Sequence, residues 1–250
     1  MITAESVSVF FGEKTAVDRV SLTVPDHGTL GLVGPNGSGK TTLLRALYGS
    51  VDATGTVLLD GKDITTMRRR DIARSVSVVS QERDSDIPIT VADLVELGAL
   101  PHRGLFSFAN EEPVAQALES VGILHLAQRD VSDLSGGEHQ RALIARALVQ
   151  DAKHVLLDEP TNHLDIRYQH EVLELVTDLP GGSVVVLHDL NLAARYCDRI
   201  AVLKEGRIVA EGTPEEVLIP EILEPVYEIK VRRLNLDGEI TLVYPRKARV

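Results

Sequence analysis

Hydrophobic and polar residues alternate near the start of the chain, as they do in strands that bury one face. Val7, Val9 and Phe11 follow a two-residue period, and the same period recurs at 20–24. The apolar run at 56–59 ends in an Asp-Gly turn signal. These patterns predict an N-terminal antiparallel β subdomain, with Phe11 on the same face as the two valines.

Three later segments are apolar without alternation, which is typical of strands that are covered on both faces. They are residues 30–33, 155–157 and 184–187. We therefore predict that these strands lie at the centre of a mainly parallel sheet. With helical patterns between them, they indicate an α/β fold.

Helical patterns dominate the middle of the chain. Thr90 and Asp93 have the spacing of a capping box, and Pro113 precedes apolar residues at helical spacing, as a first helical residue would. These signals predict a mainly helical insertion at about 88–134.

Turn signals recur in the last fifty residues. Glu205-Gly206 divides one pair of strand patterns, and Asp237-Gly238 divides another. The second pair predicts a C-terminal hairpin extension within about 221–250. We find no repeat or linker in the sequence, so a single domain spanning 1–250 is expected.

The charge balance narrows the class of partner. The chain carries 26 Lys and Arg against 37 Asp and Glu, a formal net charge of −11. This argues against a nucleic-acid-binding protein, because that affinity comes from clustered cations. No stretch approaches the roughly 18 consecutive apolar residues of a membrane span, and no secretory signal pattern opens the sequence. With Cys197 as the only cysteine, a reducing, cytoplasmic setting is expected.

A glycine-rich segment follows the first fully apolar strand pattern and precedes a helical one. It consists of Gly34, Pro35, Asn36, Gly37, Ser38, Gly39, Lys40, Thr41 and Thr42. Its glycines let main-chain N–H groups turn toward a phosphate chain, and the helix N-terminus adds partial positive charge. Lys40 supplies a mobile cation, and Thr41 offers a hydroxyl to Mg²⁺. The segment therefore predicts a phosphate-binding loop for a nucleoside triphosphate.

Two carboxylates, Asp158 and Glu159, follow the apolar strand at 155–157. Because ligands bind at the carboxyl edge of open α/β sheets, this position suits a catalytic site. Asp158 is expected to hold Mg²⁺ through its water shell, and Glu159 to orient and deprotonate a water molecule. The alternative is that both are helix-start acids beside Pro160.

The segment LSGGEHQR, residues 134–141, has two interpretations. Ser135 and Glu138 have capping-box spacing, so the segment is in one view only the start of a helix. Two glycines weaken a helix by about 1 kcal/mol each relative to alanine, a cost that is explained if main-chain N–H groups must approach an anion. The order of phosphate loop, this signature segment and the two acids resembles the ABC-type ATPases. The resemblance implies a P-loop NTPase core with an inserted helical signature subdomain.

This resemblance extends over nearly the whole chain and assigns further roles. It implies ATP as the nucleotide and a homodimer with ATP at the interface. The residues Ser135, Gly136 and Gly137 would contact the γ-phosphate bound by a second copy. Asp165 would organise the partner copy's site.

Other roles that the resemblance implies concern the bound nucleotide and the attacking water. His188 would contact the γ-phosphate and hold the water and Glu159 in place, although a lone strand-end histidine is more often structural. Gln81 would contact Mg²⁺ or the water. Phe11 would stack on adenine; Phe10 is a rival, and a core position is the other alternative for Phe11.

Within this family, three segments resemble the ATPase subunits of bacterial importers for ferric siderophores, haem and cobalamin. They are residues 98–102, 162–165 and 187–200. The resemblance implies integral membrane permease subunits, an extracytoplasmic substrate-binding protein as an indirect partner, and a place at the cytoplasmic face of the membrane. Ala99-Leu100 departs from the Arg and aromatic residue expected before Pro-His, where the permease contact should lie. The alternative is a soluble non-transport ABC ATPase in DNA maintenance or translation, whose coiled coil or tandem cassettes the sequence does not contain.

Overall fold

The computed structural model describes residues 1–80, 88–102 and 111–245, with only the main chain at 111. The chain forms two compact units. The first unit comprises Met1–Thr66 and Val184–Val250, and the second comprises Met67–Ser183. Each unit is α/β and is described by itself.

The first unit contains strands from both ends of the chain. Its N-terminal elements are β1 (Ile2–Phe11), β2 (Lys14–Val24), β3 (Gly28–Val33), α1 (Lys40–Leu47), β4 (Thr54–Leu59) and β5 (Lys62–Asp63). The second unit then contributes α2 (Arg69–Ala73), β6 (Val76–Val79), α3 (Val91–Glu96), α4 (Glu111–Ser120), α5 (Gly136–Gln150), β7 (His154–Asp158) and α6 (Ile166–Thr177). The chain returns to the first unit within β8 (Gly182–Val186). There it forms α7 (Leu190–Tyr196), β9 (Arg199–Lys204), β10 (Arg207–Gly212), α8 (Pro214–Val217), α9 (Pro220–Tyr227), β11 (Arg232–Leu236) and β12 (Glu239–Val243).

The N-terminal sheet is antiparallel in the order β2-β1-β4-β5, as the alternating pattern predicts. The prediction that Phe11 lies on the same face as Val7 and Val9 is wrong. Register shifts interrupt the pairing of β1 with β2 after Ala4, Val7 and Val9, so the side-chain alternation is broken. Val7 and Val9 are buried, whereas Phe11 is 55% exposed.

The strand β3 occupies the centre of the first unit, between β9 and β8 in the order β10-β9-β3-β8. It runs parallel to β9, while β10 turns back antiparallel. Residues 30–33 and 184–187 are buried, which confirms the prediction of covered strands. Cys197 packs beneath β3, and burial raises the pKa of its thiol to about 12, so it stays protonated and unreactive.

The second unit pairs β6 with β7 in parallel and packs α3 and α4 on the long helix α5. The capping box of Thr90 and Asp93 is present at the start of α3. Helix α4 begins at Glu111, so the prediction of Pro113 as first residue is wrong by two positions.

The C-terminal hairpin forms as predicted, with β11 and β12 joined by Asp237 and Gly238. Both turn residues have positive φ, at 52° and 89°, as a two-residue hairpin turn requires. Within the parts of the chain that the structure describes, no helix is both long and apolar enough to cross a bilayer.

Candidate functional site

The phosphate loop connects β3 to α1 in a conformation that only glycine tolerates at two positions. Gly34 and Gly39 have φ values of 151° and 102°. A β-carbon at Gly34 would lie 2.2 Å from the Leu203 carbonyl oxygen, and one at Gly39 would lie 2.4 Å from that of Ala16. Gly37 also has positive φ, yet a β-carbon there would meet no heavy atom of the described residues within 4 Å, apart from its chain neighbours. The loop is therefore packed at its ends and open at its middle.

Lys40 is the first residue of α1, and its ammonium group lies over the loop. The Nζ atom donates to the carbonyl oxygens of Gly34 at 2.8 Å and Pro35 at 3.1 Å. The first turn of α1 contains no acid, so the positive end of the helix dipole is not neutralised by its own side chains. The Ser38 hydroxyl oxygen is buried and has no hydrogen-bond partner among the described residues. These features fit a phosphate chain, which supplies acceptor oxygens to all of these groups.

His188 follows β8 at the same sheet edge as the phosphate loop. The Leu187 N–H donates to the Leu32 carbonyl oxygen at 3.1 Å, which sets the ends of β8 and β3 side by side. His188 and Asp189 are exposed there, and Asp189 caps α7 by accepting from Asn191 N at 2.7 Å. The first unit thus brings together the predicted loop and histidine.

Phe10 and Phe11 end β1, and both rings are exposed, at 53% and 55%. The alternative of a core position for Phe11 is therefore wrong. Either ring offers a face to a planar base, and the assignment of Phe11 as the stacking residue stays a prediction.

The two predicted acids of the second unit lie where β7 ends. Asp158 is the last residue of the strand, and Glu159 has a φ of 53°. That left-handed conformation costs about 1–3 kcal/mol for a residue other than glycine and persists only where neighbours impose it. The Asn162 side-chain amide donates to the Glu159 carboxylate. Helix α6 begins only at Ile166, so the interpretation of helix-start acids is wrong.

Asp165 is the N-cap of α6, with its carboxylate accepting from Tyr168 N at 3.1 Å. The resemblance to the ABC-type ATPases implies for Asp165 only a role across a dimer. The local signal for the cap was an Asp just before a helical pattern.

The signature segment begins α5 with the predicted capping box. The Ser135 N–H and hydroxyl both donate to the Glu138 carboxylate, at 2.8 and 2.7 Å. These hydrogen bonds hold the pKa of Glu138 below its usual value. The box confirms the helix-start interpretation and leaves the anion-binding role of the segment as a prediction.

A side chain at Gly137 would crowd the Tyr168 ring of α6. Its β-carbon would lie 3.0 Å from Cγ of Tyr168. The Tyr168 ring is flanked by the guanidinium groups of Arg141 and Arg167, each 5.9 Å from the ring centroid. Arg141 also donates to the Glu171 carboxylate and, at 2.9 Å, to the Val121 carbonyl oxygen. This cluster ties the signature helix to the helix after Asp165, and sequence reasoning missed it because its members are distant in the chain.

The predicted position Gln81 lies outside the described residues. The remaining predicted site residues divide between the two units: the phosphate loop, Phe11 and His188 in the first, and the acids, Asp165 and the signature segment in the second.

Comparison with known proteins identifies the family. The family model for the ABC transporter matches residues 17–162. The ferric enterobactin transport ATP-binding protein FepC of Escherichia coli is 39% identical over 234 residues, which cover 90% of this chain and 86% of that protein. The hemin import ATP-binding protein HmuV of Pseudomonas fluorescens is 41% identical over 240 residues, covering 92% and 94%.

Among solved structures, the chain is similar to an ATP-binding cassette in a dimeric post-hydrolysis state bound to ADP and Pi. The TM-score is 0.75 at 27% identity, covering 86% of this chain and 99% of that chain. With a phosphate loop, a signature helix and a strand ending in two acids, the chain belongs to the ABC transporter family and is an ATP-binding subunit that hydrolyses ATP.

Proposed function

We propose that this subunit energises import of an iron chelate, haem or cobalamin through a separate membrane permease, with iron compounds favoured. The ATPase part is supported by the phosphate loop, where the Lys40 ammonium group bonds to the loop, the Ser38 hydroxyl is buried with no partner among the described residues, and α1 begins without an acid. The cargo class is supported by the relatives, which are named for ferric enterobactin and hemin.

The phosphates of ATP would be held by the main chain of residues 34–42 and by the Lys40 ammonium group. Thr41, Asp158 and Gln81 would hold Mg²⁺, which neutralises charge on the phosphates when bound. Glu159 would take a proton from the attacking water. His188 would orient that water, and Phe11 would stack on the adenine.

For the assembly we propose a head-to-tail homodimer with ATP at its interface. The main-chain N–H groups of Gly136 and Gly137 lie at the start of α5, where the helix dipole favours an anion, whereas the N–H of the N-cap Ser135 donates to Glu138. The anion would be the γ-phosphate held by the second copy. Asp165 would act on that copy's site in addition to capping α6.

The contact with the permease is proposed for the helical segment at about 88–134. Leu97 and Leu100 are 46% and 56% exposed, and a cleft of about 350 Å³ lies between α3 and α4. Exposed apolar side chains such as these suit an apolar partner helix. Through this contact the subunit would lie at the cytoplasmic face of the membrane, with a substrate-binding protein on the other side of the permease.

Co-purification from detergent-solubilised membranes tests this function. The tagged wild-type chain should retain an integral membrane protein identified by mass. A variant with Leu97→Glu and Leu100→Glu should lose it, whereas Leu234→Glu should keep it, since Leu234 is similarly exposed, at 43%, on β11 of the first unit. Recovery of the chain without a membrane protein, or equal recovery from both variants, would favour the soluble ATPase instead.

A further inference from the structure

The C-terminal hairpin contacts the helix that begins two residues after His188. β12 packs on α7, and Leu242 of β12 is buried, at 3% exposure. Arg195 of α7 and Glu239 of β12 form an exposed ion pair at 3.7 Å. The hairpin is thus a packed part of the first unit.

Asn191 makes the most specific contact between the two elements. Its Oδ1 accepts from the Leu242 N–H at 2.7 Å, and its Nδ2 donates to the Leu242 carbonyl oxygen at 3.3 Å. The side-chain amide therefore pairs with β12 as the main chain of a neighbouring strand would. A donor and an acceptor placed in this way fix the orientation of the amide as well as its distance.

The main chain of Asn191 is also held. Its N–H donates to the Asp189 carboxylate at 2.7 Å, as part of the cap of α7. On the other side of His188, Leu187 is hydrogen-bonded to Leu32 of β3. His188 thus lies on a short segment fixed at one end by the central sheet and at the other by the C-terminal hairpin.

The residue after β12 also lies near this segment. Burial raises the pKa of Tyr244, and the carboxylate of Asp189 raises it further. At the other end of the extension, Lys204 Nζ donates to the Pro225 carbonyl oxygen of α9 at 2.7 Å. Residues 220–244 therefore contact the rest of the first unit through both α9 and β12.

We propose that Asn191 is a positioning residue for ATP hydrolysis. Its two hydrogen bonds to Leu242 connect His188 to the C-terminal hairpin, so that the hairpin fixes the position of His188. The inference rests on the proposed contact of His188 with the γ-phosphate. It gives a role to the Asn of the segment 187–200 and to the C-terminal extension. A catalytic group displaced by about 1 Å loses about 100-fold in rate, so loss of this clamp is expected to lower kcat by about 10- to 100-fold.

The test measures ATP turnover and ATP affinity of the full chain in five variants. Asn191→Ala and Asn191→Leu both remove the hydrogen bonds, and the leucine keeps a similar volume so that the helix stays packed. Both should lower kcat with less than about a two-fold change in ATP affinity. Arg195→Ala, which removes the exposed ion pair between the same elements but keeps the Asn191 hydrogen bonds, is the matched control and should leave kcat unchanged.

The last two variants are His188→Ala alone and its combination with Asn191→Ala, and they are compared with each other. Because Asn191 is proposed to act through His188, it should cause no further loss in that background. An equal loss in both backgrounds, or an unchanged kcat in Asn191→Ala and Asn191→Leu, would overturn the inference. Normal turnover of His188→Ala would instead refute the proposed role of the histidine.

Discussion

Lys40 supplies the positive charge of the phosphate loop. Its ammonium group is held over the phosphate loop by the carbonyl oxygens of Gly34 and Pro35, and the residue is only 5% exposed. A cation held there meets bound phosphates without a large rearrangement of the side chain. Charge-assisted hydrogen bonds of this kind contribute about 1.5–3 kcal/mol each.

We predict that Lys40→Ala weakens ATP binding by about 100-fold or more, because the charge on the loop is removed and the main-chain N–H groups cannot replace it. Calorimetric titration with ATP measures the change. Lys62→Ala is the control, since Lys62 is exposed on β5 of the same unit and its loss alters the net charge equally. Wild-type affinity in Lys40→Ala would refute the phosphate-loop assignment.

The residues of the loop could be predicted from sequence because their spacing is local. The sequence does not predict the left-handed conformation of Glu159 or the hydrogen bond that it accepts from Asn162. Neither feature has a characteristic sequence pattern. The requirement for glycine at position 137 was predicted only in part. The close approach of Gly137 to Tyr168 joins two helices, and a single sequence does not show which residues of two helices meet.

Among the helices and strands, features that depend on neighbouring residues were predicted correctly, whereas features that depend on contacts distant in sequence were not. The capping boxes of α3 and α5 and both two-residue hairpins depend on neighbouring residues, and all are present. The predicted orientation of Phe11 is wrong because register shifts in β1 break the two-residue period. The contact of β12 with Asn191 was not foreseen, since side-chain pairing with a strand follows no periodicity.

The packing of α5 on α6 predicts that Gly137→Ala changes the thermal midpoint in opposite directions with and without the Tyr168 ring. Gly137→Ala should lower the thermal midpoint, because crowding of the Tyr168 ring costs about 1–3 kcal/mol and exceeds the gain in helix propensity of at most about 1 kcal/mol. With Tyr168→Ala already present, the same substitution should raise the midpoint. Thermal unfolding followed by circular dichroism measures both, and equal destabilisation in the two backgrounds would contradict this contact.

The proposed function requires two copies of the chain that close on ATP and reopen after hydrolysis. Such a cycle would bias an attached permease between two states, because closure and opening favour different permease conformations. The signature segment and the phosphate loop of one chain then belong to different catalytic sites. This is why a monomer is expected to bind nucleotide yet hydrolyse it slowly.

Glu159→Gln should keep ATP binding, lower turnover by about 10²- to 10⁴-fold, and accumulate an ATP-bound dimer. The amide oxygen of glutamine still accepts from Asn162, so the local structure is preserved. Light scattering after size exclusion with ATP and Mg²⁺ measures the mass. Glu174→Gln, on the exposed face of α6, should behave as wild type, and a monomeric Glu159→Gln with normal turnover would disprove the assignment.

In the proposed function, ATP hydrolysis by this chain drives uptake of a metal-containing nutrient. The most direct measurement is uptake of a labelled ferric siderophore, haem, cobalamin and an unrelated amino acid by cells whose own copy of the gene is replaced. The wild-type chain and Glu174→Gln should restore uptake of at least one metal-containing compound, Glu159→Gln should not, and amino acid uptake should be equal in all strains. Normal uptake of all three metal-containing compounds by the Glu159→Gln strain would contradict the account.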